Sequence, residues 1–293
     1  MTRAKNSGTE TPRRIAEEKI EIGAPVEAVW RALTEAEEIE RWFAPEARVT
    51  PGAGGKIWWH WQSMFEWEQR IEIWEPNRHL RTTYAQVGPG ATPQADIDPQ
   101  SQPQAVHLAI DFHLEGRGGI TVLRVVHSGF GADASWDMEY DGVRRGWHFE
   151  LRSLRHYLER HPGVERKVAW VRKAIELTAE EAWARLLDGN GFTSQLDLSA
   201  LKPGSEYSLA VAGDVFRGAV TTLNPPYEFS GTVANLSDAL LRIAVEPGHG
   251  DSAATLGVWL WVATWGLSQA SVDAIYAQLQ ALLDRLFPEE EGR

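Results

Sequence analysis

Residues 22–33 read Ile-Gly-Ala-Pro-Val-Glu-Ala-Val-Trp-Arg-Ala-Leu, and they mark the passage from a strand into an amphipathic helix. Directly before it, Lys19–Ile22 alternates polar and apolar residues, which predicts a β-strand. Pro25 stands where a helix should begin, because its fixed φ angle suits the first helical turn. Apolar residues then recur at helical spacing and predict one buried face, formed by Val26, Val29, Trp30 and Leu33.

The rest of the first half predicts a run of strands closed by one long helix. A second short helix is expected over Ala36–Trp42, and a long helix over Asp137–Arg160, which His161-Pro162-Gly163 ends. The strands between them are predicted at Lys56–Gln62, Phe65–Trp74, Leu80–Gln86, Val106–Leu114 and Ile120–Phe130. Consecutive strands enclosed by helices favour an α+β domain with an antiparallel sheet.

The second half repeats this plan. Ile175–Trp183 aligns with Ile22–Trp30 at a constant offset, and both segments predict a strand that runs into an amphipathic helix. Further strands are predicted at Tyr207–Val211, Phe216–Leu223, Tyr227–Val233, Ala239–Val245 and Thr255–Thr264, and a closing helix at Ser268–Leu286. We therefore predict two tandem domains, at residues 15–162 and 163–288, between a disordered tail (1–14) and an acidic tail (289–293).

Composition narrows the function classes. The 293 residues include 43% apolar and 24% charged residues, which is ordinary for a globular protein, and 14 Trp. The net charge is −12, and both halves are acidic, so nucleic-acid binding, which needs a Lys/Arg surface, is not expected. With no Cys, the chain has no disulfide, thiolate zinc site or Cys nucleophile.

Localisation is predicted from the apolar stretches. Ile15 and the residues after it do not form the apolar region that an export signal requires. The longest strongly apolar stretch, Thr255–Leu267, is too short to span a bilayer. The sequence therefore predicts a cytoplasmic protein that does not insert into membranes.

Residues 22–33 resemble the opening strand and helix of START-like (SRPBCC) domains. Five further motifs, in the same order, are similar to the branch related to the C-terminal domain of the activator of Hsp90 ATPase. They are Ile39-Glu-Arg-Trp-Phe-Ala-Pro45, Pro51-Gly-Ala-Gly-Gly55, Trp74-Glu-Pro-Asn-Arg-His-Leu80, His127-Ser-Gly-Phe130, and Gly146-Trp147 ahead of Leu151 and Leu154.

This resemblance implies a helix-grip fold, in which a curved antiparallel sheet wraps a C-terminal helix and leaves a cavity between them. The second half looks like a more divergent domain of the same kind. One departure is the loop at Val87–Ala105, which is longer than such domains usually carry. It either covers the cavity mouth as a lid or decorates the surface, and we favour decoration.

Strand alternation predicts which side chains line the inner wall of the first sheet. The predicted wall comprises Ile57, Trp59, Trp61, Trp67, Gln69, Ile71, Thr82, Tyr84, Ile110, Phe112, Val125 and His127, with Trp147 and Leu151 approaching from the helix. These residues either fill a solid core or line a pocket for an apolar or aromatic ligand, in which Gln69, Thr82, Tyr84 and His127 supply the polar groups.

Catalytic and metal motifs are sparse. His127 is the histidine predicted inside the first domain, and it is more typical of a hydrogen-bonded core residue than of a catalyst. His107, Asp111 and His113 alternate on one strand face, but that face should be solvent-exposed and no further ligand is indicated. We predict no metal and no cofactor.

Three hypotheses for function follow. The first is binding of a hydrophobic or aromatic small molecule without chemistry, in which case the protein is not an enzyme. The second is an enzyme resembling polyketide cyclases or aromatases, with His127 and Tyr84 as acid–base candidates. The third is a protein-interaction module with a chaperone or homodimer contact, which the resemblance associates with stress response.

Overall fold

The computed structural model describes residues 13–61, 65–96, 104–188, 191–192, 201–211, 214–247 and 255–288. These residues form two antiparallel sheets, one of seven strands and one of six, and each sheet is followed along the chain by a long helix. The predicted α+β class and the tandem helix-grip plan are confirmed. The tail segments 1–12 and 289–293, Gln62 and residues 97–103 of the long loop lie outside the described residues.

The first sheet runs in the order β1-β7-β6-β5-β4-β3-β2. Its strands are β1 (Arg13–Ile22), β2 (Glu46–Thr50), β3 (Lys56–Trp61), β4 (Phe65–Glu75), β5 (His79–Gln86), β6 (Val106–Arg117) and β7 (Ile120–Gly131). Its helices are α1 (Val26–Thr34), α2 (Ala36–Glu40) and α3 (Asp137–Arg160), with a short 3-10 turn at Ala134–Trp136 before α3. Consecutive strands pair as hairpins, while β1 closes the sheet against β7.

Local sequence explains the first helices. Pro25 caps α1 with φ −60°, Glu27 lies in the first turn, and Arg31 lies in the last turn, where each charge suits the helix dipole. After α2, the Trp42 indole donates to the Ala32 carbonyl oxygen at 2.8 Å. This bond fixes the turn that carries Phe43 into the interior.

The long helix α3 is buried on two sides. One face packs into the first sheet through Trp147, Leu151 and Leu154, which are at most 6% exposed. A second face carries Phe149, whose ring lies 5.0 Å from the Arg242 guanidinium of the second domain. The helix therefore serves both as the core helix of the first domain and as its contact with the second.

The second sheet repeats the pairing of the first, because its first strand again pairs with its last. Its order is β8-β13-β12-β11-β10-β9. The strands are β8 (Arg166–Ala174), β9 (Glu206–Val211), β10 (Asp214–Asn224), β11 (Glu228–Val233), β12 (Ala239–Pro247) and β13 (Leu256–Trp265), and the helices are α4 (Ala179–Leu187) and α5 (Gln269–Leu286). A capping box between Thr178 and Glu181 starts α4.

The outer face of the second sheet covers the first domain. Alternation on β13 places Trp261, Ala263 and Trp265 on one face, and these residues join the core cluster of the first domain. The Trp265 indole donates to the Arg41 carbonyl oxygen at 3.0 Å. This apolar face of β13 is thus covered at the contact between the two domains.

Several predictions about elements needed correction. Strand β1 begins at Arg13, inside the predicted tail, and strand β2 at Glu46–Thr50 was not predicted. A β-bulge between Ile71 and Ile73 shifts the register of β4. Beyond this bulge, Trp74 packs toward the core, where its ring meets Trp30 at 5.2 Å.

Among the helices that the structure describes, none has both the length and the apolar character of a membrane span.

Candidate functional site

The predicted inner wall of the first domain is assembled in the structure. Thirteen of its fourteen side chains are buried and Trp67 is partly buried. The whole set is Ile57, Trp59, Trp61, Trp67, Gln69, Ile71, Thr82, Tyr84, Ile110, Phe112, Val125, His127, Trp147 and Leu151. Whether this wall encloses a bound molecule stays a proposal.

Aromatic rings form a continuous layer along this wall. Trp67 meets Trp59 at 5.5 Å and Tyr84 at 5.0 Å between ring centroids, both edge-on. Phe43 meets Trp59 at 4.8 Å and stacks on Trp147 at 6.1 Å. Such edge-on pairs add stability beyond the area they bury. The layer links three strands of the sheet to the core helix.

Phe43 belongs to this layer although sequence reasoning did not place it there. It follows α2 in a turn, where no strand or helix period indicates which way a side chain points. The motif Ile39–Pro45 marked the segment, and that resemblance was the available signal. Only the docking of the turn against α3 and the second domain brings the ring to the wall.

Three buried side chains form a hydrogen-bonded relay. The Trp147 Nε1–H donates to His127 Nδ1 at 3.2 Å, and His127 Nε2 lies 2.8 Å from the Tyr84 hydroxyl. Burial lowers the pKa of His127 to about 3, so its imidazole is neutral at physiological pH. Because Nδ1 accepts the hydrogen bond from Trp147, the hydrogen of the neutral imidazole lies on Nε2, and this N–H donates a hydrogen bond to Tyr84 Oη.

This tautomer leaves the Tyr84 hydroxyl hydrogen for another acceptor. Burial, and secondarily the charge of Glu139, raises the pKa of Tyr84 well above its usual value, so the hydroxyl stays protonated. Its oxygen already accepts from His127 in the relay. Tyr84 can therefore donate one hydrogen bond to a group in the interior.

Further donors on the same wall lack an acceptor among the described residues. The Nε1 atoms of Trp59 and Trp67 and Nε2 of Gln69 are buried, and no described group lies within hydrogen-bond reach of them. The Gln69 amide is oriented by Thr82, whose hydroxyl donates to Gln69 Oε1 at 2.6 Å. An unsatisfied buried donor costs about 1–3 kcal/mol, so such a group calls for a physical reason.

The relay limits acid–base chemistry. An imidazole whose pKa lies near 3 is a poor general base near neutral pH, and both ring nitrogens are engaged in hydrogen bonds. The hypothesis that His127 transfers protons assumed its ordinary pKa, which burial has moved. The arrangement suits holding and orienting a molecule better than moving a proton.

The loop after β5 is fastened to the domain over the part that the structure describes. Glu139 of α3 accepts from Gln86 Nε2 and from the backbone N–H of Gly90, both at 2.7 Å. Gln94 pairs with Ala85 through two backbone hydrogen bonds. These contacts hold residues 87–96 against the first domain, which argues against a lid that opens and closes over this part of the loop.

The outer face of the sheet groups different histidines from those predicted. His79, rather than His107, joins Asp111 and His113 in a cluster whose ligand-type atoms lie within 4.8 Å of one another. Asp111 is already bound by His79 at 2.8 Å and by the Arg81 guanidinium at 2.6 Å. Burial lowers the pKa of His113, as does neighbouring His79. A guanidinium on the carboxylate competes with a metal cation, so this cluster is better described as an ion-paired group. Asp111 is only 7% exposed, so the prediction that this face is solvent-exposed is wrong at that residue.

The first domain has the helix-grip architecture that the START-like resemblance implies, with an antiparallel sheet packed against a long C-terminal helix. Residues 23–159 match the family described as activator of Hsp90 ATPase homolog 1-like protein, which confirms the predicted resemblance for this domain. The family match covers just under half of the chain and does not reach the second domain, whose likeness lies in its topology.

Solved structures similar to the chain match either about half of it or nearly all of it. Protein MLL2253 from Mesorhizobium loti is 25% identical, with 50% of this chain and 98% of that chain covered and a TM-score of 0.41. The Aha1 dimer from Colwellia psychrerythraea is 21% identical, with 51% and 99% covered and a TM-score of 0.41. The di-domain ARO/CYC BexL from the BE-7585A biosynthetic pathway is 16% identical, with 96% and 99% covered and a TM-score of 0.41. No curated protein matches the chain closely enough to be a relative.

Proposed function

We propose that the first domain binds a hydrophobic or aromatic small molecule that carries a hydrogen-bond acceptor, and that it holds this molecule without changing it. One observation carries the proposal: three buried N–H groups on the aromatic wall find no acceptor in the part of the chain that the structure describes. A carbonyl oxygen at this wall would satisfy one or more of them, while a flat apolar body would pack against the rings.

The absence of chemistry in this proposal rests on the relay. A cyclase or aromatase that used His127 and Tyr84 would need one of them to exchange protons near neutral pH. Burial disfavours the charged form of both side chains, so it lowers the pKa of His127 and raises that of Tyr84. We therefore favour binding over the enzyme hypothesis.

The remaining expectations from the sequence stay predictions. A cytoplasmic location, a role in stress response and a contact with a chaperone or a second copy of the chain are implied by composition or resemblance. The described surface has large apolar side chains that are exposed, such as Ile15 and Met138, but nothing identifies a partner for them.

The test compares two probes, 9-fluorenone and fluorene, which differ in that a carbonyl of the first replaces a methylene of the second. We expect fluorenone to bind the purified protein more tightly, as measured by calorimetry and by native mass spectrometry, because only the ketone accepts a hydrogen bond. Tyr84→Phe and Trp59→Phe should each weaken fluorenone binding about 3- to 10-fold, the worth of one hydrogen bond, and should narrow its advantage over fluorene.

The matched control is Trp58→Phe. Trp58 neighbours Trp59 on β3 but lies on the outer face, where its indole donates to Glu66 at 3.1 Å. This variant should keep the full preference for fluorenone. Equal affinity for the two probes, or an equal loss in Trp58→Phe and Trp59→Phe, would refute the proposal, as would conversion of fluorenone to a product.

A further inference from the structure

An open cleft of about 560 Å³ lies between the two domains, and among the described residues Trp147 is the one that lines both this cleft and the interior wall of the first domain. Its walls are strand β1 and helix α3 on one side and strands β10 and β11 on the other. Its volume falls within the range of small-molecule sites. The lining residues include apolar ones that could cover a ligand body, namely Ala16, Trp147, Pro203, Leu223 and Tyr227.

Four carboxylates line this cleft, and each already has a cationic partner. The pairs are Glu17 with Arg124 at 2.7 Å, Glu18 with His148 at 3.1 Å and Arg152 at 3.3 Å, Asp141 with Arg144 at 3.8 Å, and Glu228 with Arg242 at 3.3 Å. The acidic side chains therefore leave little uncompensated negative charge in the cleft.

Arg145 also lines the cleft, and it has no carboxylate partner among the residues that the structure describes. Its guanidinium carbon lies 5.4 Å from the centroid of the Tyr227 ring, and its Nε is buried with no described group to accept its hydrogen. Across the cleft, Thr222 is 7% exposed, and its hydroxyl is likewise buried without a partner in the described ranges. A guanidinium without an anionic partner and a hydroxyl without a hydrogen-bond partner, among the described residues, thus line one cleft, and they come from different domains.

We propose that this cleft is a second binding site, which takes a small monocarboxylate with an apolar body. A carboxylate can accept two parallel hydrogen bonds from the Nε edge of a guanidinium, and that edge of Arg145 is not engaged by any described residue. The Thr222 hydroxyl supplies another donor from the facing domain. The apolar body lies between Tyr227 and Leu223.

The lining charges select a monoanion. Arg145 supplies one positive charge that no described carboxylate pairs with, so a second negative charge on the ligand would have no free cation to balance it. A phosphate dianion is therefore a poorer ligand than a carboxylate. This site does not depend on the small-molecule site proposed for the interior, because it uses different donors.

The experiment titrates the intact chain with benzoate, its neutral isostere benzamide, and inorganic phosphate, by calorimetry and ligand-observed NMR. We expect benzoate to bind with a Kd of about 0.1–1 mM, and benzamide and phosphate to bind at least about tenfold more weakly. Arg145→Lys keeps the positive charge but cannot donate the two parallel hydrogen bonds of a guanidinium. It should therefore weaken benzoate binding by about tenfold or more. Thr222→Val removes only the hydroxyl, and should weaken it about 3- to 10-fold.

Two control variants test whether benzoate binds in this cleft and nowhere else. Arg155→Lys makes the same exchange on α3 outside the lining residues, and it should leave benzoate affinity unchanged. Tyr84→Phe alters the interior site and should also leave benzoate affinity unchanged. The proposal is overturned if benzoate fails to bind at about 10 mM, if phosphate binds better, or if Arg145→Lys binds benzoate as the wild type does. Loss of binding in Tyr84→Phe alone would place benzoate in the interior and overturn it as well.

Discussion

The position of His127 follows from its local sequence, whereas its charge and tautomer follow from its burial and its partners in the fold. Strand alternation places it on the inner wall, and it is fully buried there. Burial keeps its imidazole neutral, and its tautomer depends on distant partners, since Trp147 comes from α3 and Tyr84 from β5. Nothing in the local sequence around His127 specifies that its pKa is lowered to about 3.

The buried imidazole makes stability depend on pH. Its pKa is about 3 in the folded protein and 6.5 ordinarily, so the unfolded chain binds the proton more tightly. Stability from this group is therefore present above about pH 6.5 and is lost as pH falls toward 3, by up to about 1.4 kcal/mol per pH unit. His127→Gln, which does not titrate, should lose less free energy of unfolding than the wild type between pH 6.5 and 4 in urea titrations. If the free energy of unfolding fell equally with pH in the two proteins, the result would contradict a neutral buried imidazole.

At the scale of elements, strand β8 of the second domain holds a turn of the first. Arg166 donates to the backbone carbonyl oxygens of Glu40 at 3.1 Å and Trp42 at 2.7 Å, and to that of Phe43. Burial lowers the pKa of Arg166 to about 10, so the guanidinium remains charged at neutral pH. The turn that carries Phe43 into the aromatic wall is thereby fixed by the neighbouring domain.

Removal of that guanidinium should cost stability. Arg166→Met leaves three carbonyl oxygens without their donor, and we expect the free energy of unfolding to fall by about 3 kcal/mol. Because Phe43 is then less well held, fluorenone affinity should also fall. Arg217→Met, on an exposed position of β10, is the control and should change stability by less than about 0.5 kcal/mol. Equal stability of the two variants, measured by urea unfolding, would argue against this role of Arg166.

At the scale of the whole molecule, charged side chains gather where the domains meet. Arg242 pairs with Glu228 at 3.3 Å and with Glu246 at 3.1 Å. Glu150 of α3 lies close to this group, and burial raises its pKa to about 7, although Arg166 and Arg242 oppose the shift. The contact between the domains therefore contains a carboxyl group that titrates near neutral pH.

Glu150 should make stability depend on pH in the opposite sense to His127. Its pKa is raised from 4.5 to about 7 on folding, so the folded protein holds the proton more tightly. Stability from this group falls as pH rises from about 4.5 to 7. We expect a fall on the order of 2 kcal/mol, which is less than the full pKa shift would give, because solvent still reaches part of the side chain. In thermal unfolding, the difference in Tm between Glu150→Gln and the wild type should shift in favour of the variant when the pH is raised from 4.5 to 8. A difference that stays constant with pH would rule this out.

Much of the fold follows from local pattern. The alternation in Lys56–Trp61 places Trp59 inside and Trp58 outside, and the spacing of Trp147, Leu151 and Leu154 gives α3 its inner face. The bulge in β4 escaped prediction because one extra residue changes which side chains point inward without changing composition.

The amino-acid sequence is sufficient to predict the order of the helices and of every described strand except β2, the repeat of the plan, and the inner wall of the first domain, because hydrophobic periodicity is a property of neighbouring residues. Tertiary structure alone decided that the tryptophan face of β13 covers the first domain, that Phe43 joins the wall, and that Arg145 and Thr222 share a cleft. Those outcomes depend on how two separately patterned domains dock. Docking brings together residues far apart in the chain, and no local period records it.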